Sequence, residues 1–326
     1  MASAVVGDDV YGEDPTVNRL QDMAAGMLGK EAGLFVTSGT MGNLASLLAH
    51  CGRGDEIILG DQSHTFIFEA GGVAALGGIH PRTLPNQPDG ALRLDDVRLA
   101  IRPHADAHFP PTRLVALEST HNRCGGSALP LDYLAQVRAL ADERGLLLHL
   151  DGARIFNAAA ALGVPAADIA APFDSVTFCL SKGLSAPAGS LIVGSRAFIG
   201  QAHRMRKMLG GAMRQAGVLA AAGIVALETM VGRLAEDHAR ARRLAGMLAS
   251  VPGLVVENPE PASNMVYVAL AEDTPLGGRE VGAALAERGV KVGAVGYRRF
   301  RMVTHAWVGD EDVKTAAAAW AGALAG

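Results

Sequence analysis

The apolar residues Val17, Leu20, Met23, Met27 and Leu28 recur at helical spacing after Pro15. Asp14 can cap that segment, Pro15 suits a first turn because its missing N–H is an orphan there anyway, and Gly29 marks the stop. Beyond it the period changes. GLFVTS (33–38), EIILG (56–60), RLVALEST (113–120), LLLHLD (146–151), SVTFCLS (175–181) and SLIVGS (190–195) are short apolar runs that read as strands. TMGNLASLLAHC, LDYLAQVRALADERG and RIFNAAAALG, which lie between them, read as helices. Strands apolar on both faces and separated by helices predict a mostly parallel sheet covered on both sides, an α/β architecture.

The last hundred or so residues change character. An Ala/Arg-rich stretch from about Gln215 to Ser250 reads as one long helix, followed by the strands GLVVENP, NMVYVAL, VKVGAVG and RFRMVTH, the helix GREVGAALAERG and a closing helix. The expected organisation is a large domain over 1–230 and a smaller C-terminal α+β domain over 231–326, with the long helix as the joint.

Composition narrows the class. The 326 residues are 49% hydrophobic with 29 basic and 33 acidic side chains, net −4, which suits a globular enzyme and argues against a nucleic-acid partner. No apolar run reaches membrane-spanning length and the N-terminus turns acidic within a few residues, so the expectation is a cytoplasmic protein with no membrane partner. Cys51, Cys124 and Cys179 are too few and too scattered for a disulfide framework or a zinc ribbon and read as core thiols.

Four segments carry candidate chemistry. In VTSGTMGN a strand runs through Ser38, Gly39 and Thr40 into a helix, whose free N–H groups and dipole suit a phosphate, although Ser and Thr there are also ordinary caps. The spacing is neither that of a nucleotide P-loop nor that of a dinucleotide site. Asp151 ends the leucine-rich run LLLHLD, either presented to a crevice at a strand's carboxyl end or capping the next helix. Lys182 follows SVTFCLS. Of the five lysines it alone sits at the mouth of an apolar strand, a position that costs solvation unless the amine is paired or used on a carbonyl. In RRFRMVTH, Arg301 is placed to fork onto a carboxylate, while Arg298 and Arg299 read as solvated at the turn. The paired histidines of HADAH, His104 and His108, read as part of a proline-flanked loop rather than a metal site.

A phosphate cup, an acid and an amine at neighbouring strand ends together match pyridoxal 5′-phosphate, which needs an anchor for its phosphate, a carboxylate for its ring nitrogen and a lysine for its aldehyde. His64, in GDQSHTFIFEAGG, is the candidate to cover the ring.

These residues resemble one family, the low-specificity L-threonine aldolases, within the aspartate-aminotransferase-like (fold-type I) class of pyridoxal-phosphate enzymes. The resemblance runs through VGDDVYGEDPTVNRL, SGTMGN, HTFIFEAGG, LESTHN, LHLDGARIFNA, CLSKGLSAPAGSLIVG, RKMLGGAMRQAG and VTH. It implies that Lys182 holds the cofactor as a Schiff base, Asp151 pairs with the pyridine nitrogen and Arg154 touches the phenolic oxygen. Gly39 and Thr40 would hold the phosphate and His64 would stack on the ring. Arg301 would bind the substrate carboxylate, and His121 would lie near the β-hydroxyl. The proton-accepting base would be His64, His121 or a water.

By the same resemblance Tyr11, Lys207 and Arg214 serve a neighbouring subunit's site, which implies a homodimer, usually doubled to a homotetramer. The implied reaction is reversible cleavage of L-threonine, L-allo-threonine and related β-hydroxy-α-amino acids to glycine and an aldehyde, with no metal. The alternatives are another enzyme of the same fold, a transaminase or β-eliminating lyase, or a pyridoxal-binding protein of weak activity. Family members usually open on a segment reading roughly Asp-(Phe/Leu)-Arg-Ser-Asp-Thr, whose Ser helps bind the substrate carboxylate, whereas this chain opens at MASAVVGDD. Cofactor binding is therefore expected more firmly than full activity.

Overall fold

A computed structural model describes residues 1–103 and 106–325; His104 of HADAH lies outside the described residues. The chain forms two compact units, one of residues 1–124 and 128–232, the other of 125–127 and 233–326.

In the first unit, β1 (Ala32–Val36), β2 (Glu56–Gly60), β3 (His80–Leu84), β4 (Thr112–Glu118), β5 (Leu147–Asp151), β6 (Ser175–Cys179) and β7 (Ser190–Gly194) form one sheet in the order β1-β7-β6-β5-β4-β2-β3. Among the described residues β7 alone runs against its neighbours. Flanked by antiparallel pairings on both sides, it leaves β1 parallel to β6, so the carboxyl ends of β1, β2, β4, β5 and β6 share one edge of the sheet. Ligands of parallel α/β sheets collect at that edge.

The helices of this unit are α1 (Pro15–Met27), α2 (Gly39–His50), α3 (His64–Ile67), α4 (Gly72–Ala75), α5 (Leu94–Ala100), α6 (Leu131–Arg144), α7 (Ile155–Leu162), α8 (Ala166–Ala170), α9 (Arg196–Met208) and α10 (Gly217–Thr229). They cover both faces. Leu34 and Val36 of β1 pack with Ala45 of α2 and with Phe198 and Ala202 of α9. Phe35, which alternates with them, points to the opposite face, and its N–H is held by Gln21 of α1. Every residue of β2, β6 and β7 is buried, as the continuous apolar runs require. No single helix among the described residues is long and apolar enough to cross a membrane.

The cap read for α1 is present: the Asp14 carboxylate accepts from the N–H groups of Thr16 and Val17, and Gly29 takes a left-handed φ of 63°. The same carboxylate accepts from the first N–H of α10, Gly217 at 2.8 Å, so one acid starts two helices.

The stretch read as one helix from about Gln215 to Ser250 is two. α10 ends at Thr229 and α11 (Leu234–Leu248) follows a 3-10 turn at Val231–Arg233 that contains Gly232, a poor helix residue. The second unit has a four-stranded antiparallel sheet in the order β10-β11-β9-β8, built from β8 (Leu254–Val256), β9 (Met265–Leu270), β10 (Gly293–Ala294) and β11 (Arg299–Val303). α11, α12 (Gly278–Glu287) and α13 (Asp310–Leu324) supply its core with Leu244, Leu248, Val281, Leu285 and Trp320. VKVGAVG gives only two paired residues, because its glycines and exposed positions offer a strand little to bury.

Candidate active site

Lys182, Gly39, Thr40, Arg154, His64 and His121 each follow the carboxyl end of a strand of the first unit, and Asp151 ends one. Beyond β6 the chain turns at once: Ser185 N–H bonds to the Lys182 carbonyl at 2.9 Å and Ala186 N–H to the Leu180 carbonyl at 3.0 Å. Ser185 holds a left-handed φ of 62°, an uncommon conformation for a residue with a side chain. This turn keeps Lys182 half-buried just past the sheet. Lys182 is not alone in such a setting. Lys30 is also half-buried, its Nζ donates to the Phe173 carbonyl at 2.6 Å, and burial lowers its pKa. Its carbonyl partner gives Lys30 a structural occupation.

Beyond β1, Ser38 caps α2 by accepting from Met41 N–H. Gly39 and Thr40 then supply the first helical amides, which lie outside the intrahelical ladder. Gly39 is required by a close approach: a Cβ there would lie 2.8 Å from Cys179 Sγ, at the end of β6. Gly42 presses α2 onto the same strand, since its Cβ would lie 2.4 Å from Thr177 Cγ2. The helix N-terminus is thereby set beside the strand that leads to Lys182.

Asp151 ends β5 and is buried. Its Oδ1 accepts from Ala153 N–H at 3.0 Å and its Oδ2 from Asn43 Nδ2 at 2.8 Å. Asn43 Nδ2 also donates to Glu69 Oε1 at 2.8 Å, and the same Glu69 oxygen is 2.9 Å from His64 Nδ1. Ligand atoms of His64, Glu69 and Asp151 all lie within 4.8 Å of one another. The hydrogen bond to Glu69 raises the pKa of His64, burial opposes it, Asp151 adds to it, and Lys182 works against it. His64 thus senses both the acid and the amine. Burial raises the pKa of Glu69 despite the His64 bond, which pulls the other way.

His121 is placed differently from His64. It is buried, with Nε2 3.9 Å from Glu118 Oε2, and its ring lies against Gly90, where a Cβ would come within 2.6 Å of His121 Cβ. Glu118, at the end of β4, accepts from the backbone N–H groups of His64 and Asn122, both at 2.7 Å, and so ties the two histidine-bearing loops to one carboxylate. Arg154 is half-buried at the start of α7, just after Asp151.

The other candidates lie elsewhere. Tyr11 is 71% exposed, and Arg214, also exposed, pairs with Asp8 at 2.7 Å. Asp8 first and then Tyr11 raise the Arg214 pKa, so these side chains form one surface cluster; Lys207 is exposed near the end of α9. Arg301 belongs to the second unit, mid-strand in β11 opposite Tyr267 and Gly293, and lines a cleft of about 490 Å³ with Lys291, Thr304 and His305.

Arg298 and Arg299 are not idle at the turn. Arg298 donates to the carbonyls of Ala271, Thr274 and Leu276. Arg299 pairs with Glu257 at 2.6 Å and stacks over Tyr267. Their neighbours come from loops remote in sequence, which local pattern does not disclose. Asn43, Glu69, Glu118 and His149 lie within SGTMGN, HTFIFEAGG, LESTHN and LHLDGARIFNA, but no local pattern assigns any of them a role.

The donors fit pyridoxal phosphate. Glu69 Oε2, Thr177 Oγ1 and Ser190 Oγ are buried around this edge with no hydrogen-bond partner, the mark of a site shaped for a polar guest. Asp151 is a buried carboxylate whose oxygens are held by Ala153 N–H and Asn43 Nδ2, an acid suited to a pyridinium. An amine past one strand, a buried acid ending the next and a tight helix N-terminus beside them define a pyridoxal-phosphate enzyme of α/β type.

Comparison with known proteins agrees. The beta-eliminating lyase family profile matches residues 1–271. A probable low-specificity L-threonine aldolase 2 of Arabidopsis thaliana is 50% identical over 96% of this chain and 89% of its own length. The low specificity L-threonine aldolase of Escherichia coli K12 is 47% identical over 100% of this chain and 94% of its own. The solved structure of Leishmania major threonine aldolase superposes with a TM-score of 0.80 at 21% identity, covering 99% of this chain and 92% of that one. Sphingomonas wittichii serine palmitoyltransferase gives 0.77 at 21% identity over 99% and 80% of the two chains, a likeness of fold. The chain belongs to the beta-eliminating lyase family and, within it, to the low-specificity L-threonine aldolases.

Proposed function

We propose that this chain is an aldehyde-lyase that cleaves L-threonine, L-allo-threonine and related β-hydroxy-α-amino acids to glycine and an aldehyde, reversibly. The observation that carries the reading is one sheet edge: Asp151 ends β5 within 4.8 Å of ligand atoms of His64 and Glu69, and Lys182 follows the adjacent strand β6. Bound pyridoxal phosphate supplies an electron-withdrawing pyridinium ring for the substrate's α-carbon. Lys182 would hold the cofactor's aldehyde carbon and yield it to the substrate amine. Asp151 would keep the ring nitrogen protonated, and Arg154 would contact the phenolic oxygen. The amides of Gly39 and Thr40, with the α2 dipole, would hold the phosphate.

His64 would cover the ring. Because Glu69 engages its Nδ1, Nε2 is the nitrogen through which His64 would take the β-hydroxyl proton. His121 is the second candidate base. Arg301 would bind the amino-acid carboxylate in a bidentate fork.

The test is direct. Purified protein with pyridoxal phosphate should absorb in the visible violet, shift its band on adding glycine, and release glycine and an aldehyde from L-threonine or phenylserine without a keto-acid co-substrate. Lys182→Ala should abolish band and turnover. Keto-acid formation that depends on a second substrate would replace the aldolase reading with a transaminase.

The assembly we infer is a homodimer, doubled to a tetramer, in which Tyr11, Lys207 and Arg214 serve a neighbour's site. Their exposure supports it. Mixing Lys182→Ala with Arg214→Ala should restore part of the activity if sites are shared, and a monomer in analytical ultracentrifugation would sink the idea. The three free, buried thiols suit a reducing compartment, in line with a cytoplasmic location.

A further inference from the structure

The hydrogen bonds of Asp151 continue inward from the site. Asn43 Oδ1 lies 3.1 Å from His149 Nε2, His149 Nδ1 lies 2.8 Å from Ser175 Oγ, and the same Ser175 oxygen lies 2.8 Å from His50 Nε2. These side chains connect the buried acid to the C-terminal end of α2, where half-buried His50 stacks on Phe198 at 4.3 Å.

The sense of every link follows from the first. An ionised carboxylate only accepts, so both hydrogens of Asn43 Nδ2 go to Asp151 and Glu69, and Asn43 Oδ1 must accept from His149. His149 then carries its proton on Nε2, and its Nδ1 accepts from the Ser175 hydroxyl. The Ser175 oxygen in turn accepts from His50 Nε2–H. Burial pushes the pKa of His149 down to about 3 and that of His50 down to about 4, so both rings are neutral and each can fill this donor-and-acceptor role. All the donors point toward the acid. Bonds aligned in one sense polarise one another, and the last of them stabilises charge on Asp151.

We propose that Asn43 and His149, backed by Ser175 and His50, are positioning residues that keep the Asp151 carboxylate ionised and aimed at the ring nitrogen of the cofactor. Rotation of the Asn43 amide is blocked, because it would set an oxygen against two carboxylates and an NH₂ against a ring N–H. This inference rests on the proposed cofactor site and adds to it an account of what holds the acid.

The experiment uses the holoenzyme loaded with pyridoxal phosphate labelled with ¹⁵N in the ring. His149→Ala removes the donor to Asn43. His149→Gln can restore an N–H near that position, and Ser175→Ala cuts the next link without touching Asn43. In His149→Ala and Ser175→Ala the ring-nitrogen resonance should move toward its unprotonated position. The cofactor Kd should rise roughly ten- to a hundredfold in His149→Ala, as expected when a buried acid's partner loses its own support. His149→Gln should recover most of both effects.

Wild-type resonance and Kd in His149→Ala and Ser175→Ala would overturn the proposal while leaving the cofactor site intact. If His149→Ala does not fold, Ser175→Ala alone decides the question by the same resonance. Wild-type protein that binds no pyridoxal phosphate would overturn the cofactor reading itself, and this one with it.

Discussion

At the scale of the residue, the site depends on carboxylates whose partners are fixed by burial. Glu69 bonds His64 Nδ1 and raises the imidazole's pKa, so the folded protein binds that proton more tightly than the unfolded chain. The linked stability is fully present below the ordinary histidine value and is lost as pH rises through the raised folded value. Glu69→Gln removes the charge and should bring the His64 pKa down, read as an NMR titration of its ring. An unchanged midpoint would mean that Asp151, not Glu69, governs His64. At this scale the sequence disclosed what is chemically singular. Lys182 and Asp151 stood out because a lysine or an aspartate ending an apolar run is conspicuous. Asn43 and His149 did not, because an amide inside a helix and a histidine inside a strand acquire meaning only through the neighbours that folding brings.

At the scale of the element, two helix starts are decisive. Asp14 caps α1 and also accepts from Gly217 of α10, so Asp14→Ala removes a cap and a tie together. It should cost at least the ~1–2 kcal/mol of a lost N-cap, measured by urea unfolding. Gly217 cannot carry a side chain there, since its Cβ would lie 2.4 Å from Asp14 Oδ1. At α2 the constraint serves the site. Gly42→Ala would drive a methyl into Thr177, whose branched side chain has little freedom to yield, and so displace Asn43 and the Gly39–Thr40 turn proposed to hold the phosphate. Cofactor affinity should fall on the order of tenfold or more, measured by spectral titration. Retained wild-type affinity would show that α2 has slack the packing does not suggest. Periodicity identified α1, α2, α6 and α7. It passed over β3, where Pro81 and Arg82 interrupt the apolar run, and it merged α10 with α11, because alanine-rich flanks mask a single glycine.

At the scale of the whole molecule, the two compact units have separate cores. In the second unit Trp320 is fully buried, edge-on to Phe300 at 5.2 Å, with its indole N–H directed at Met302 sulfur. Trp320→Ala should destabilise that unit by about 3–5 kcal/mol, seen in calorimetry as a lowered transition. A thermogram identical to wild type would argue that the α11–α13 packing repacks around the void. Arg301, the proposed carboxylate ligand, lies on this unit's sheet, and Arg301→Ala should raise KM for the amino acid, measured by steady-state kinetics.

Apolar runs and their spacing determined by themselves that the chain makes a covered, mostly parallel sheet with a smaller appended unit, because burial of two strand faces leaves a one-dimensional trace. The placement of a lysine and an acid at strand ends was equally local. Which strands adjoin, that β7 turns against the rest, and that Asn43 stands between Asp151, Glu69 and His149 were decided only in three dimensions. Hydrogen bonds between residues a hundred positions apart obey distance and direction in space, and no periodicity along the chain encodes them.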